Sequence, residues 1–192
     1  VIGYPTARSY YGILWFEGQR YMTLLIIASL MVMMALYVFT FPKYKTEEIT
    51  GAFFGVCYVP VMLSFLYQTR GMSDGAYLVW LILISSWGCD TCAYCSGMLL
   101  GRHKLAPVLS PKKSIEGAVG GALGAALLGF VYAAFFGARM SEFQNPQASC
   151  AIACAIAAVI SQIGDLAASA IKRNHGIKDY GKLIPGHGGI LD

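Results

Sequence analysis

Residues 76–97 read AYLVWLILISSWGCDTCAYCSG, an apolar run in which Asp90 is the only charged residue. A helix crosses a bilayer core with about 20 mostly apolar residues, so this run is long enough to span a membrane. Only 12% of the chain is charged and 57% is hydrophobic, whereas soluble domains carry roughly 25% charged residues. Four more runs have the same character: 21–41, 49–67, 117–137 and 148–171. The sequence therefore predicts an integral membrane protein.

These runs predict an all-α fold, a polytopic transmembrane helix bundle of about five spans. The loops between them are short, so residues 1–192 are expected to form one domain. The alternating pattern of a membrane barrel is absent. Pro60 and Gly55 predict a kink in the second span. The fourth span is rich in small residues such as Gly117, Gly121 and Gly129, which predicts that it packs inside the bundle.

The basic residues predict the orientation, because cytoplasmic loops carry an excess of Lys and Arg. With five spans, one face receives ten of the fourteen basic residues. We expect this face in the cytoplasm, with the protein in the cell inner (plasma) membrane. The topology leaves Val1 outside, so we expect further spans upstream of it and more chain after Asp192. The ten basic residues on this face are Lys43, Lys45, Arg102, Lys104, Lys112, Lys113, Lys172, Arg173, Lys178 and Lys182. The other face receives the remaining four, Arg8, Arg20, Arg70 and Arg139.

Two carboxylates lie inside predicted spans, where ionisable groups are costly and mark functional sites. They are Asp90 in the third span and Asp165 in the fifth. At 1.5 Å rise per residue, each is about 10 to 15 Å from the cytoplasmic end of its helix. Gln162, Asp165, Ser169 and Lys172 share one face of the fifth span by their spacing. The alternative is an internal hydrogen-bond network that only holds helices together.

Two basic segments follow these carboxylates along the chain. The loop 101–121 carries Arg102, His103 and Lys104 and then SPKKSIEG at 110–117. Lysines suit phosphate oxygens, and Ser114 at a helix start would cap it while exposed N–H groups face an anion. The alternative is a loop that only sets topology. In the tail, glycines on both sides of His187 permit a tight turn and close approach to a ligand.

The order of these parts closely resembles the signature of phosphatidate cytidylyltransferases, the CDP-diacylglycerol synthases. The resemblance covers roughly residues 80–192, whereas the first two spans match in hydrophobicity alone. That signature continues with an Arg after its last Asp, while this chain ends at Asp192. The matching motifs are GCDTCAY at 88–94, GRHK at 101–104, SPKKSIEG at 110–117, GDL at 164–166, SAIKR at 169–173, KD at 178–179 and PGHGGILD at 185–192.

Cys89, Cys92 and Cys95 stand where that family tends to have small residues. Their spacing is compatible with an iron–sulfur or zinc site. We favour the alternative that they are small buried hydrophobes, because only three thiols cluster here. A disulfide is not expected at this depth on the cytoplasmic side.

The resemblance implies that CTP reacts with phosphatidic acid, at the lipid bilayer, to give CDP-diacylglycerol and pyrophosphate. It implies that Mg²⁺ is held by Asp165 and Asp192, so the tail must fold back beneath the bundle. We expect no nucleic acid partner, and a homodimer through the small-residue helix stays open. The implied catalytic residues are Lys113, Ser169, Lys172, Arg173, Lys178 and His187, and the implied substrate-binding residues are Asp90, Ser114, Glu116 and Asp179.

Two alternatives remain at this point. One is a related CTP-dependent enzyme that acts on another membrane lipid. The other is a membrane transporter, because intramembrane aspartates also mark transport pathways. A transporter would carry polar groups through both halves of the bilayer, whereas these cluster on one side.

Overall fold

A computed structural model of the chain describes residues 7–141 and 143–181. Five helices in this part are long and apolar enough to cross a membrane: Arg20–Thr40, Thr46–Arg70, Gly75–Leu100, Ile115–Arg139 and Pro146–Asn174. Each covers most of one predicted run. The predicted class, a polytopic helical membrane protein, is therefore confirmed.

Contacts divide the chain into two compact units, residues 1–79 and 80–192. The single-domain expectation stays a prediction. The first unit contains the long helix α1, Ala7–Thr40, and a second hydrophobic helix in three parts. These parts are α2, Thr46–Val56, a π-helical turn at Cys57–Val61, and α3, Met62–Arg70. Pro60 lies in the π turn, where the predicted kink was placed. A wider turn tolerates the missing proline N–H without ending the helix.

The boundary between the units falls within the third hydrophobic helix, whose first part is α4, Gly75–Leu83. A π turn at Ile84–Gly88 joins it to α5, Cys89–Leu100. The second unit then forms a hairpin of β1, Lys104–Ala106, and β2, Ser110–Ser114. Two long helices complete it: α6, Ile115–Phe136, and α7, Pro146–Asn174.

The centre of the second unit is α6, which packs against α5 and α7. A Cβ atom at Gly121 would lie 2.8 Å from the Cβ atom of Ala93, and one at Gly129 would lie 2.7 Å from Cys154 Sγ. Small residues therefore let the neighbouring backbones approach closely. The small-residue face of the fourth span is thus closely packed, whereas Leu123 and Leu127 on its other face are exposed. The buried face of α6 consists of Gly117, Gly121, Ala125, Gly129 and Ala133.

One polar side chain joins the three helices. The Gln162 amide on α7 donates hydrogen bonds to the Ala118 carbonyl of α6, at 3.0 Å, and to Cys89 Sγ of α5, at 3.1 Å. The polar stripe predicted on the fifth span thus begins with a residue that links helices. An amide is well suited to this position, because its polar atoms need partners inside the membrane.

The antiparallel hairpin was not predicted from the sequence. It pairs Lys104 with Ser114 and Ala106 with Ser110, with an irregularity between them. The Ile115 N–H donates to the His103 carbonyl at 2.9 Å and closes the base of the hairpin. The loop between α5 and α6 is therefore an ordered element. Its position matters because Lys113 lies on it.

Gly129→Ala should lower the melting temperature of the detergent-solubilised protein. The new methyl group would lie 2.7 Å from Cys154 Sγ and 2.8 Å from the Cys150 carbonyl oxygen, and overpacking of this kind costs about 1–3 kcal/mol. Gly55→Ala is the matched control, because a Cβ atom there meets nothing within 4 Å. Equal melting temperatures for both variants would show that α6 is not closely packed.

Candidate active site

An ion pair connects the hairpin to α7. The Lys113 ammonium contacts the Asp165 carboxylate, and their side chains are 31% and 55% exposed. The residues are distant in sequence, but β2 ends beside α7 and directs Lys113 toward it. The structure thus places a hairpin lysine at one of the two carboxylates predicted inside the membrane.

Asp90 belongs to the same cluster of charges. It lies in the first turn of α5, directly after the π turn, and interacts electrostatically with both Asp165 and Lys113. The Lys113 ammonium contacts Asp165, and Asp90 lies near enough for the two carboxylates to repel each other. A further cation or a protonated group would relieve this repulsion. We call Asp90, Lys113 and Asp165 the charge cluster.

The charge cluster has the oxygen donors that Mg²⁺ prefers. Magnesium is commonly held by one or two protein carboxylates together with substrate phosphates and water. Asp90 and Asp165 would supply such carboxylates, although the described residues contain no group of three or more His, Cys, Asp or Glu side chains that could hold a metal ion. Asp192, the second predicted ligand, lies outside the described residues.

Two predicted substrate-binding residues hold the base of the hairpin. Ser114 is buried, and its Oγ accepts the Gly117 N–H at 3.1 Å, so it caps α6 as expected. Glu116 accepts a hydrogen bond from the His103 backbone N–H at 3.2 Å, and its Oε1 lies 2.7 Å from the His103 Nδ1 atom. These bonds position Lys113, which precedes the cap by one residue.

Three predicted catalytic residues occupy the last turns of α7. Ser169 is half-buried one turn after Asp165. Lys172 places its ammonium 5.3 Å from the centre of the Tyr180 ring, and the Arg173 guanidinium donates to the Ile177 carbonyl at 3.3 Å. The end of α7 therefore carries two cations on the side where the chain turns back.

The chain reverses directly after α7. Gly176 adopts a φ of 66°, a conformation that favours glycine. The Ile177 N–H then donates to the Lys172 carbonyl at 3.0 Å, and the Tyr180 hydroxyl donates to the Ala168 carbonyl at 3.2 Å. The described start of the tail therefore folds back along α7, and the predicted return of Asp192 to Asp165 stays a prediction.

Of the remaining predicted residues, Lys178 and Asp179 are exposed after α7, and no contact between them and the charge cluster is seen among the described residues. His187 lies outside the described residues, as does Asp192. An open groove of about 470 Å³ lies nearby, between the hairpin and α7. Its walls are Leu109, Ala170, Ile171, Arg173 and Asn174.

All six cysteines are free thiols. Cys89 is buried and accepts from Gln162, whereas Cys95 is exposed. Of the three cysteines whose spacing resembles a metal motif, Cys89, Cys92 and Cys95, the first thus takes part in helix packing.

Sequence reasoning missed three contributors to this region: His103 as the partner of Glu116, Tyr180 as the anchor of the tail, and the hairpin itself. Pro107 between two short segments was a turn signal that could have indicated the hairpin. No local signal identifies the partners of His103 or Tyr180, because each contact joins residues that are twelve or more positions apart.

Comparison with known proteins shows the family of the chain. The family model described as "Cytidylyltransferase family" matches residues 5–192. Proteins named phosphatidate cytidylyltransferase are similar, with 34% identity in Staphylococcus saprophyticus, 33% in Staphylococcus haemolyticus and 32% in Staphylococcus aureus. Each match covers 87% of this chain and 62% of the relative, so the chain spans less than two thirds of their length. Because the family model matches nearly the whole chain, this protein belongs to the cytidylyltransferase family.

Proposed function

We propose that the protein transfers the cytidylyl group of CTP to phosphatidic acid and releases pyrophosphate. Family membership and the names of the relatives support a cytidylyl transfer to a phospholipid. The observation that carries the proposal is the charge cluster, which joins the hairpin to the halves of the third and fifth membrane helices that lead to it and to the chain reversal. A lipid in the bilayer can reach this level without moving its acyl chains into water.

The reaction needs one bond exchange. An oxygen of the lipid phosphate attacks the α-phosphorus of CTP, the bond between the α-phosphorus and its bridging oxygen breaks, and pyrophosphate leaves with that oxygen. Every participant is anionic, so the protein mainly has to position the reactants and neutralise charge. No covalent protein nucleophile is required.

The cations of the second unit suit this requirement. Lys113 lies in the charge cluster, and Lys172 and Arg173 lie near the chain reversal at the end of α7. We propose that these three, with Lys178, neutralise the phosphates of both substrates. Ser169 and His187 orient the phosphates by hydrogen bonding, and Asp179 contacts the nucleotide. Ser114 and Glu116 contribute indirectly: their hydrogen bonds fix the base of the hairpin and so keep Lys113 beside α7.

Magnesium completes this proposal. Asp165 and Asp192 would hold it, with Asp90 as a further ligand or nucleotide contact. When bound, Mg²⁺ supplies positive charge to the transferring and leaving phosphates. Lys113 can then release Asp165 and turn its ammonium to a phosphate oxygen. We further propose that the site faces the cytoplasm from the plasma membrane; dimerisation through α6 stays a prediction.

Pyrophosphate release in nanodiscs tests the proposed reaction. We expect release that requires CTP, Mg²⁺ and phosphatidic acid together, with CDP-diacylglycerol as the lipid product. Diacylglycerol is the matched acceptor control, because it lacks the attacking phosphate. Turnover with another phospholipid but not with phosphatidic acid would overturn the acceptor, and solute flux without nucleotide turnover would overturn the reaction.

Lys113→Ala and Asp165→Asn should each lower kcat by on the order of 100- to 1,000-fold, because Lys113 would neutralise phosphate charge and Asp165 would hold the Mg²⁺ that does the same. The double variant should lose less than the product of the two losses, since the residues act as a unit. Lys45→Ala and Glu47→Gln are the controls, because both side chains are exposed in the first unit. A full rate for Asp165→Asn would remove this residue from the site.

Gln162→Leu should lower kcat about tenfold while KM changes little. Its two hydrogen bonds align α7 with α6 and α5, and one rotated helix would separate Asp165 from Asp90. Buried hydrogen bonds in membrane proteins contribute only about 0.6 kcal/mol on average, so the protein should remain folded. Ile163→Ala, at an adjacent side chain that is 62% exposed, is the control. An unchanged kcat for Gln162→Leu would show that this bridge does not position the site.

A further inference from the structure

The hairpin lies beside the last turns of α7 and not far out in solvent. At its base, Lys113 contacts Asp165, and near its tip, Leu109 forms one wall of the groove with Ala170 and Ile171. Between Asp165 and Ile171 the rise of α7 is about 9 Å, at 1.5 Å per residue. The tip of the hairpin is therefore level with the last turns of a membrane helix, where lipid headgroups are expected, and its base lies about 9 Å deeper.

The tip of the hairpin is apolar and uncovered. Val108 is 86% exposed, and Pro107 beside it is exposed as well. A valine in this position would contact water if the hairpin projected into solvent. At the boundary between headgroups and acyl chains, the same side chain is buried by lipid.

The flanks of the tip are strongly basic. Residues 102–115 include Arg102, Lys104, Lys112 and Lys113 and contain no Asp or Glu. The first three of these are exposed, whereas Lys113 contacts Asp165. An apolar tip between exposed cations matches a membrane surface that contains anionic headgroups.

From this geometry we propose that the hairpin 104–114 is a membrane-interface element: Val108 inserts among the lipids, and Lys104 and Lys112 bind anionic headgroups. The inference rests on the membrane helices and not on the proposed reaction. It has a consequence for any lipid substrate, because the groove beside Leu109 then opens at headgroup depth. Arg173 in its wall would meet a lipid phosphate at the same level.

Fluorescence quenching tests this inference without an activity assay. Val108→Trp is placed in nanodiscs of equal parts phosphatidylglycerol and phosphatidylcholine, and either lipid is supplied with bromine near the headgroup end of its chains. The signal is the difference from the unsubstituted protein, which contains Trp15, Trp80 and Trp87. We expect the added tryptophan to be quenched by both lipids, and more strongly by brominated phosphatidylglycerol. Pro107→Trp repeats the measurement at the tip if the first variant does not assemble.

A pair of charge variants isolates the role of the lysines. In the Val108→Trp background, Lys104→Gln with Lys112→Gln should abolish the preference for brominated phosphatidylglycerol. Lys43→Gln with Lys45→Gln removes the same charge from an exposed loop of the first unit and should leave the preference unchanged. Each lysine near an anionic surface should raise the association constant for anionic lipid about fivefold at 25 °C.

Two results would overturn the inference. One is a tryptophan at the tip that aqueous iodide quenches and brominated lipids do not, because the tip would then lie in water. The other is equal quenching by the two brominated lipids with all lysines present, because the basic flanks would then bind no anionic headgroups. A loss of pyrophosphate release with normal quenching would bear on the proposed reaction alone.

Discussion

Close approach of α5 and α7 to the small-residue face of α6 is the constraint on which the second unit depends. Asp90 lies on α5 and Asp165 on α7, and α6 packs between these two helices. The distance between the carboxylates therefore depends on how closely α5 and α7 approach α6. Gly121 and Gly129 leave no room for a side chain there. Glycine is a poor helix former, and its presence in this span is explained by packing.

The charge cluster depends on the hairpin, which supplies its cation. Two carboxylates inside membrane helices repel each other, and the Lys113 ammonium of the hairpin contacts one of them, Asp165. The hairpin is held in turn by the Ser114 cap and the bonds between Glu116 and His103. Chemistry and structure are thus coupled, because the residues that secure the hairpin also determine where Lys113 can reach.

Much of the fold could be predicted from hydrophobicity, because a membrane span needs a length of apolar sequence that few soluble segments have. Asp90 and Asp165 were identified because charges inside membrane spans are rare, and Lys113 because its motif resembles that of the family. Their pairing was not predicted, since Lys113 reaches Asp165 through a hairpin whose strands have three and five residues. The bonds of Gln162, His103 and Tyr180 also depend on tertiary geometry. The assignments of His187 and Asp192 stay predictions.

The most direct measurement is an experimental structure of the protein in lipid with Mg²⁺ and a non-hydrolysable CTP analogue. The account predicts that the triphosphate lies in hydrogen-bond contact with Lys113 and that Asp165 is a ligand of the cation. A nucleotide bound away from the end of α7, or an Asp165 side chain that faces acyl chains, would contradict it.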